Sequence, residues 1–328
     1  MDFYEKLSTK ATSTQKHIKN SVENFKRFNK EWITNENLYD VIQVWINYRH
    51  KQGIQPSVIR HDFTNLKHYL YHLGFRLYEQ DIREKLSFPT QFEEEKHPLG
   101  LDEILRIFEV ISYKKKALYL VLISSGMRIG ETCKIRKKDI VLSLKRPMIK
   151  IPAKITKTKR GRTTFISSEA WSLLQPKYTK LSDDDLLFKN RSDSESVLFN
   201  KYCKKAGLDQ KYESGINKIT LHSFRAYFIT KIARYDENLS KILSGQKGYL
   251  LQYDRLTDEE KLESYLEFEK ELLIYDTTRL KQDLAKAKSE KITMEVMQET
   301  IKDVVEIKEQ IKKILEQKTN IAQHTNGQ

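Results

Sequence analysis

Apolar positions along the first third of the chain recur at three- and four-residue intervals, the period of a helix with one buried face. Ile18, Val22, Phe25 and Phe28 form such a stripe, while Lys16, Lys19, Lys26, Arg27 and Lys30 fall largely off it. The same period runs through NLYDVIQVWINYRHKQG and SVIRHDFTNLKHYLYHLG, each closed by a glycine, Gly53 and Gly74, where a left-handed helix cap costs little. Residues 1–92 are therefore expected to form a small all-helical domain. From Leu86 to Gly100 the period is lost. LSFPTQFEEEKHPLG carries two prolines and an acidic run and suits an exposed connection, with residues 93–100 as the linker proper.

A second domain is expected over residues 101–276. Asp102 is placed to cap EILRIFEVI, and ALYLVLISSG reads as a helix buried on most of its faces. MIKIPA and TTFIS have the β-rich character of short strands and flank KITKTKRGR, which suits a hairpin with a cationic tip around Gly161. Helical patterns resume at Ser168 and run, with loops, to about Asp276. The expected class is α+β, mainly helical. Residues 277–328 differ in character, being rich in Lys, Glu and Ile. There Met294, Met297, Ile301, Val304, Ile311 and Leu315 keep a 3/4 spacing broken by Lys308, which fits either a short coiled coil that associates with a second copy or an ordinary surface helix.

Charge narrows the partners. The chain has 328 residues and a formal net charge of +14, enough length for about two domains and a tail, and a strong bias toward a polyanion. Nucleic acid and an anionic membrane surface both satisfy that bias. No apolar run approaches the length that crosses a bilayer, and none near Met1 has the form of a signal peptide, so a soluble, intracellular protein is expected. Cys133 and Cys203 lack CxxC spacing and read as core thiols.

The candidate chemistry lies in LHSFR, where His222 and Arg225 share one helical face, in SSGMRIGE with Arg128, and in GQKGYLLQYD downstream. Two arginines, a histidine and a tyrosine are the groups needed to break a phosphodiester through a covalent tyrosine intermediate. Guanidinium forks stabilise charge that grows on nonbridging phosphate oxygens, a task for which Arg128 and Arg225 fit better than a lysine would. His222 can donate to the same phosphate or accept the tyrosine proton.

These boxes resemble those of the tyrosine recombinases, or phage-type integrases, over about residues 100–275. GMRIGE resembles the family's first arginine box, ITLHSFRAYF its HxxR box, and TKTKRGRTTFIS the hairpin that bears its lysine. SGQKGYLLQYDRLTDEEKLESYL is similar to the ending of archaeal virus and plasmid members. The resemblance implies a catalytic domain preceded by a helical DNA clamp and no cofactor or metal. It implies double-stranded DNA attachment sites as partners, a homo-tetramer assembled on DNA, and a 3′-phosphotyrosine intermediate that integrates or excises a mobile element. By the same resemblance Lys157 protonates the leaving oxygen, with Lys159 and Lys154 as substitutes, and Tyr253 in QYDR is the nucleophile, with Tyr249 next. Tyr275 also lies within reach, while Tyr265 fits core packing beside Leu262, Leu266 and Leu272. One departure stands out. Gln246, followed by Lys247, occupies the place where most members carry a histidine or tryptophan after a glycine. Gln246 still offers a hydrogen bond to a phosphate oxygen, and Glu131 is read as holding the first arginine segment.

Competing readings have less support. Asp183, Asp184 and Asp185 sit in a loop-like stretch, and His68 and His72 have i, i+4 spacing without HExxH, so neither group points to a metal nuclease. No P-loop or GxGxxG is present. Two alternatives remain: a DNA-binding protein of the same fold with weakened catalysis, which Gln246 favours, and a DNA-relaxing enzyme of the type IB topoisomerase kind.

Overall fold

The computed structural model describes residues 2–29, 32–142, 144–246 and 256–275, together with Met297 and Lys302. Apart from Met297 and Lys302, the tail at 277–328, expected to be either a short coiled coil or a surface helix, lies outside these residues, as do Lys247, Tyr249 and Tyr253. The class is α+β with helices predominating, as the patterning predicts. The described chain divides into two compact units. One comprises residues up to Lys96 together with Lys211–Ile216, and the other His97–Gln210 and the residues from Asn217 onward. No helix among the described residues is long and apolar enough to cross a membrane.

The first unit holds α1 (Phe3–Lys6), α2 (Thr12–Phe28), α3 (Leu38–Lys51), α4 (Pro56–His72) and α5 (Glu79–Lys85). Its main core joins Phe25 from the α2 stripe to Leu38, Ile42, Trp45 and Ile46 from α3 and Ile59, Phe63, Leu66 and Leu70 from α4, with Phe28 partly buried against it, while Ile18 and Val22 of the same stripe pack with Phe3 and Leu7 in a second cluster. Pro56 opens α4 at a position where no helical N–H is lost. Gly53 and Gly74 take φ of +73° and +96° just past α3 and α4, the left-handed stops expected of them. Between the helices lies a buried polar network. Asp62 accepts from Ser21 Oγ at 2.7 Å and from Arg49 Nη2 at 2.6 Å, and Asn65 Nδ2 donates to Ser21 Oγ at 3.0 Å. Lys211–Ile216 is a segment that no pattern in the sequence separates from its surroundings. It groups here because Gln55 Nε2 donates to Ser214 O at 2.7 Å and Glu94 accepts from the backbone N–H of Glu213 at 3.0 Å.

The second unit contains α6 (Leu101–Val110), α7 (Tyr113–Ser125), α8 (Ile129–Thr132), α9 (Ser168–Tyr178), α10 (Ser192–Lys205), α11 (Leu221–Ala233), α12 (Glu237–Ser244) and α13 (Asp258–Phe268). A three-stranded antiparallel sheet, β1 (Ile140–Val141), β2 (Met148–Ile151) and β3 (Arg162–Phe165), has β2 at its centre, with Ile140 and Thr164 both opposite Ile149. α7 runs through the core, buried continuously from Ala117 to Ser125. Two local expectations are corrected. α6 begins at Leu101 with Gly100 as its cap, because Glu103 reaches back to accept from the Gly100 N–H at 2.9 Å, and Asp102 falls inside the first turn. The hairpin tip is centred on Thr156–Lys159, not on Gly161. The buried Thr156 hydroxyl donates to the carbonyls of Ala153 and Arg160, each at 3.0 Å, while Lys159 takes the left-handed φ of +56°. Gly161 lies at the base beside β3, where an added Cβ would meet Ile151 O at 3.3 Å.

Asp62→Ala would leave the Arg49 guanidinium buried without its carboxylate, and a loss of about 3 kcal/mol is expected. Urea unfolding followed by tryptophan fluorescence checks this; a change below about 0.5 kcal/mol, the range of an ordinary surface substitution, would contradict it.

Candidate active site

The last turn of α7 organises the site. A helix end leaves carbonyls without helical partners, and here three side chains from three other elements take them. Tyr265 Oη of α13 donates to Ser124 O at 2.9 Å, Thr164 Oγ1 of β3 donates to Ser125 O at 2.8 Å, and Arg225 Nη1 of α11 donates to Gly126 O at 2.6 Å. Gly126 turns the chain with φ of +61°, and any Cβ there would run into the Phe228 ring. Two residues later the backbone delivers Arg128, the residue before α8. The backbone of the first arginine box is thus fixed directly by the arginine of the second.

Glu131 holds the Arg128 side. Its carboxylate accepts from the Arg128 N–H at 3.2 Å and from Arg128 Nη1 at 3.1 Å. A third arginine, Arg162 at the start of β3, donates through Nη2 to Oε2 at 2.6 Å, the oxygen that also accepts from the Arg128 N–H, through Nη1 to Oε1 at 3.4 Å, and through Nε to Leu243 O at 3.0 Å. Burial alone would raise the Glu131 pKa, but the hydrogen bond and charge of Arg162, followed by those of Arg128, hold it below the usual carboxylate range. Arg225 is only 2% exposed; burial first, then the charges of Arg128 and Arg162, draw its pKa down to about 10, so it remains cationic at neutral pH. His222 is solvent-accessible in the first turn of α11. Partial desolvation, then the charges of Arg225 and Arg128, keep its imidazole below the ordinary range. Three guanidinium groups and one carboxylate leave this cluster with a positive excess that an anion would neutralise.

The structure therefore brings Arg128, His222 and Arg225 into one electrostatic neighbourhood. Gln246 follows α12, whose left-handed Gly245 (φ +68°) lies against Arg162; the Gln246 N–H donates to Lys241 O at 3.0 Å. Lys157 is exposed at the hairpin tip, as are Lys154 and Lys159. A recess of about 180 Å³ has Thr158, Arg160, Arg162, Lys241 and Gln246 among its lining residues, but not Arg128, His222 or Arg225. Of the four tyrosines, Tyr265 is fully buried against Phe165 with its hydroxyl on Ser124 O, and burial raises its pKa well above the ordinary value, which removes it as a nucleophile. Tyr275 packs edge-on against Phe108, and its backbone N–H donates to Glu169 Oε1 at 2.5 Å. Tyr253 and Tyr249 lie outside the described residues. Sequence reasoning missed Arg162. Its place at the start of a short β-rich run was its only signal, and that says nothing of a carboxylate waiting across the fold.

Other candidates resolve into structural contacts. Asp185 Oδ2 accepts from the Ser182 N–H at 2.9 Å and Asp184 pairs with Lys138 at 2.5 Å, while His72 packs on Phe3 at 5.5 Å between centroids. Among the described residues no group of three or more His, Cys, Asp or Glu could hold a metal ion.

Residues 99–244 match the Phage integrase family. Solved structures share its fold at low identity. A lambda integrase (residues 75–356) dimer bound to a COC′ core site has a TM-score of 0.57 and 14% identity, over 78% of this chain and 96% of that one. The Tn1549 transposon integrase in complex with transposon right end DNA has a TM-score of 0.58 and 17% identity, over 80% and 97%. XerH site-specific recombinase bound to its difH substrate has a TM-score of 0.54 and 16% identity, over 80% and 81%. No curated protein sequence matches the chain.

Because the fold favours neutral His222, stability should be unaffected well above its ordinary pKa of 6.5. It should decline as pH falls through that value, where the unfolded chain takes up the proton first, and level off once the native imidazole titrates. In an NMR titration His222 should have a pKa below the ordinary value, and Arg128→Ala should raise it; an unchanged pKa in that variant would contradict the charge coupling.

Proposed function

We propose that the protein is a site-specific DNA recombinase that cleaves and rejoins duplex DNA through a covalent 3′-phosphotyrosine, integrating or excising a mobile element. The observation that carries this reading is the joining of the two arginine boxes at Gly126 O, with His222 beside them in a cluster of positive excess. In this scheme Arg128 and Arg225 bind the nonbridging oxygens of the scissile phosphate and stabilise the charge that builds at the pentacoordinate stage. His222, held neutral, accepts the Tyr253 proton as the phenolic oxygen attacks, and Gln246 adds a hydrogen bond to the phosphate. Lys157, at the exposed tip of its hairpin, protonates the departing 5′ oxygen. The phosphotyrosyl bond conserves the energy of the broken ester, so religation needs no ATP and no divalent ion.

Duplex DNA attachment sites are the proposed partners, in keeping with the net charge of +14. Strand exchange requires protomers on two sites, and we assign the working form as a homo-tetramer assembled on DNA, with residues 277–328 as candidates for contacts between copies. The ending after Gln246 resembles archaeal virus and plasmid members, and an element of that kind is the proposed source. A second reading, a DNA-binding protein of this fold that no longer cleaves, rests on Gln246 standing in place of the usual histidine or tryptophan.

A pool of random-sequence nicked duplexes separates the two. Wild type should yield a denaturant-resistant protein–DNA adduct, undiminished by EDTA, and Tyr253→Phe should yield none. Arg225→Ala should lower adduct formation about 100-fold or more, with a smaller loss of DNA binding. Salt-sensitive binding without any adduct would favour the non-cleaving reading.

A further inference from the structure

Arg162 has no place in the scheme above, yet it is the arginine bound most tightly to Glu131. Its side chain is 7% exposed and spans the carboxylate, with Nη2 at 2.6 Å from Glu131 Oε2 and Nη1 at 3.4 Å from Oε1. The Arg128 guanidinium reaches Oε1 alone, through Nη1 at 3.1 Å, its one side-chain hydrogen bond among the described residues. A carboxylate facing one arginine alone tends to draw it into a two-point fork, in which two N–H groups are consumed. An arginine held that way presents fewer donors to a phosphate. The geometry of Glu131 therefore bears on how much of Arg128 is left for an anion.

We propose that Arg162 is a positioning residue that forks the Glu131 carboxylate, most closely at Oε2, and so prevents Glu131 from capturing the Arg128 guanidinium. The proposal rests on the reading of Arg128 as a phosphate ligand. The same side chain also sets the other wall of the site. Its Nε donates to Leu243 O at 3.0 Å, and its Cδ lies where a Cβ on Gly245 would approach to 2.7 Å, so a side chain at the residue before Gln246 would displace Arg162. One guanidinium thereby links β3, the Glu131–Arg128 pair and the end of α12. A lysine could neutralise Glu131 as a point charge but could not reach Leu243 O at the same time.

The test uses inorganic phosphate as the probe and the full chain, with the His222 ring resonances in NMR spectra reporting saturation. Arg162→Met should weaken phosphate binding about tenfold, the effect of losing roughly one charge-assisted hydrogen bond at Arg128. Arg162→Lys should fall between Arg162→Met and wild type. The decisive variant is Arg162→Met combined with Glu131→Gln, which removes the buried pair as a neutral set and the anion that would capture Arg128. Recovery of phosphate affinity in this double variant to within about threefold of wild type is expected; a purely structural role for Arg162 predicts that the double variant binds as weakly as the single one or more weakly. No recovery, or an Arg162→Met variant that binds phosphate like wild type, would overturn the proposal, and so would wild type that shows no saturable phosphate binding. The adduct assay on nicked duplexes then tells the cases apart. Adduct in wild type leaves the recombinase reading standing while Arg162 loses its role, and absence of adduct removes both.

Discussion

The carbonyls at the end of α7 are the constraint on which the second unit depends. A helix buried from Ala117 to its last residue must end inside the core, and a buried end exposes acceptors that cannot be left unpaired. Tyr265, Thr164 and Arg225 supply the donors from α13, β3 and α11, so three elements distant in sequence are drawn to one point. Two of these donors are neutral hydroxyls. The third is a guanidinium, and its presence places a buried positive charge two residues from Arg128.

Burial and that charge together set the electrostatics that follow. Arg225 is disfavoured first by burial and then by Arg128 and Arg162, with Glu131 in partial compensation, while at His222 desolvation first, then the charges of Arg225 and Arg128, favours the neutral form. A core that satisfied only itself would have no reason to gather like charges in this way, and the imbalance is more economically explained by an anion that arrives later. Glu131 then has a structural task. It keeps the arginines close enough to act together while neutralising too little charge to cancel their pull.

Much of this was legible before any coordinates. The stripes of α2 to α4, the left-handed stops at Gly53 and Gly74, and the buried run of α7 all follow from apolar spacing, because packing rewards one periodic face and glycine alone tolerates the stop. Arg128, His222 and Arg225 were singled out by residue type and spacing. Contacts that depend on how elements meet across the fold were not legible. Nothing in the sequence pairs Arg162 with Glu131 or assigns Lys211–Ile216 to the first unit, since neither relation has a local period. The hairpin tip was misplaced for a related reason: Gly161 signals a turn, but the turn is built by the Thr156 hydroxyl and by Lys159 in a conformation that sequence patterns rarely assign to lysine.

The central claim is that Arg128, His222 and Arg225 enclose a single phosphate-sized site. Crystals grown in sodium tungstate, with the anion located from its anomalous scattering, would test it most directly. Tungstate bound within hydrogen-bond distance of both guanidinium groups and the imidazole is the predicted result. An anion that occupies other basic surfaces while leaving these three residues without one would contradict it.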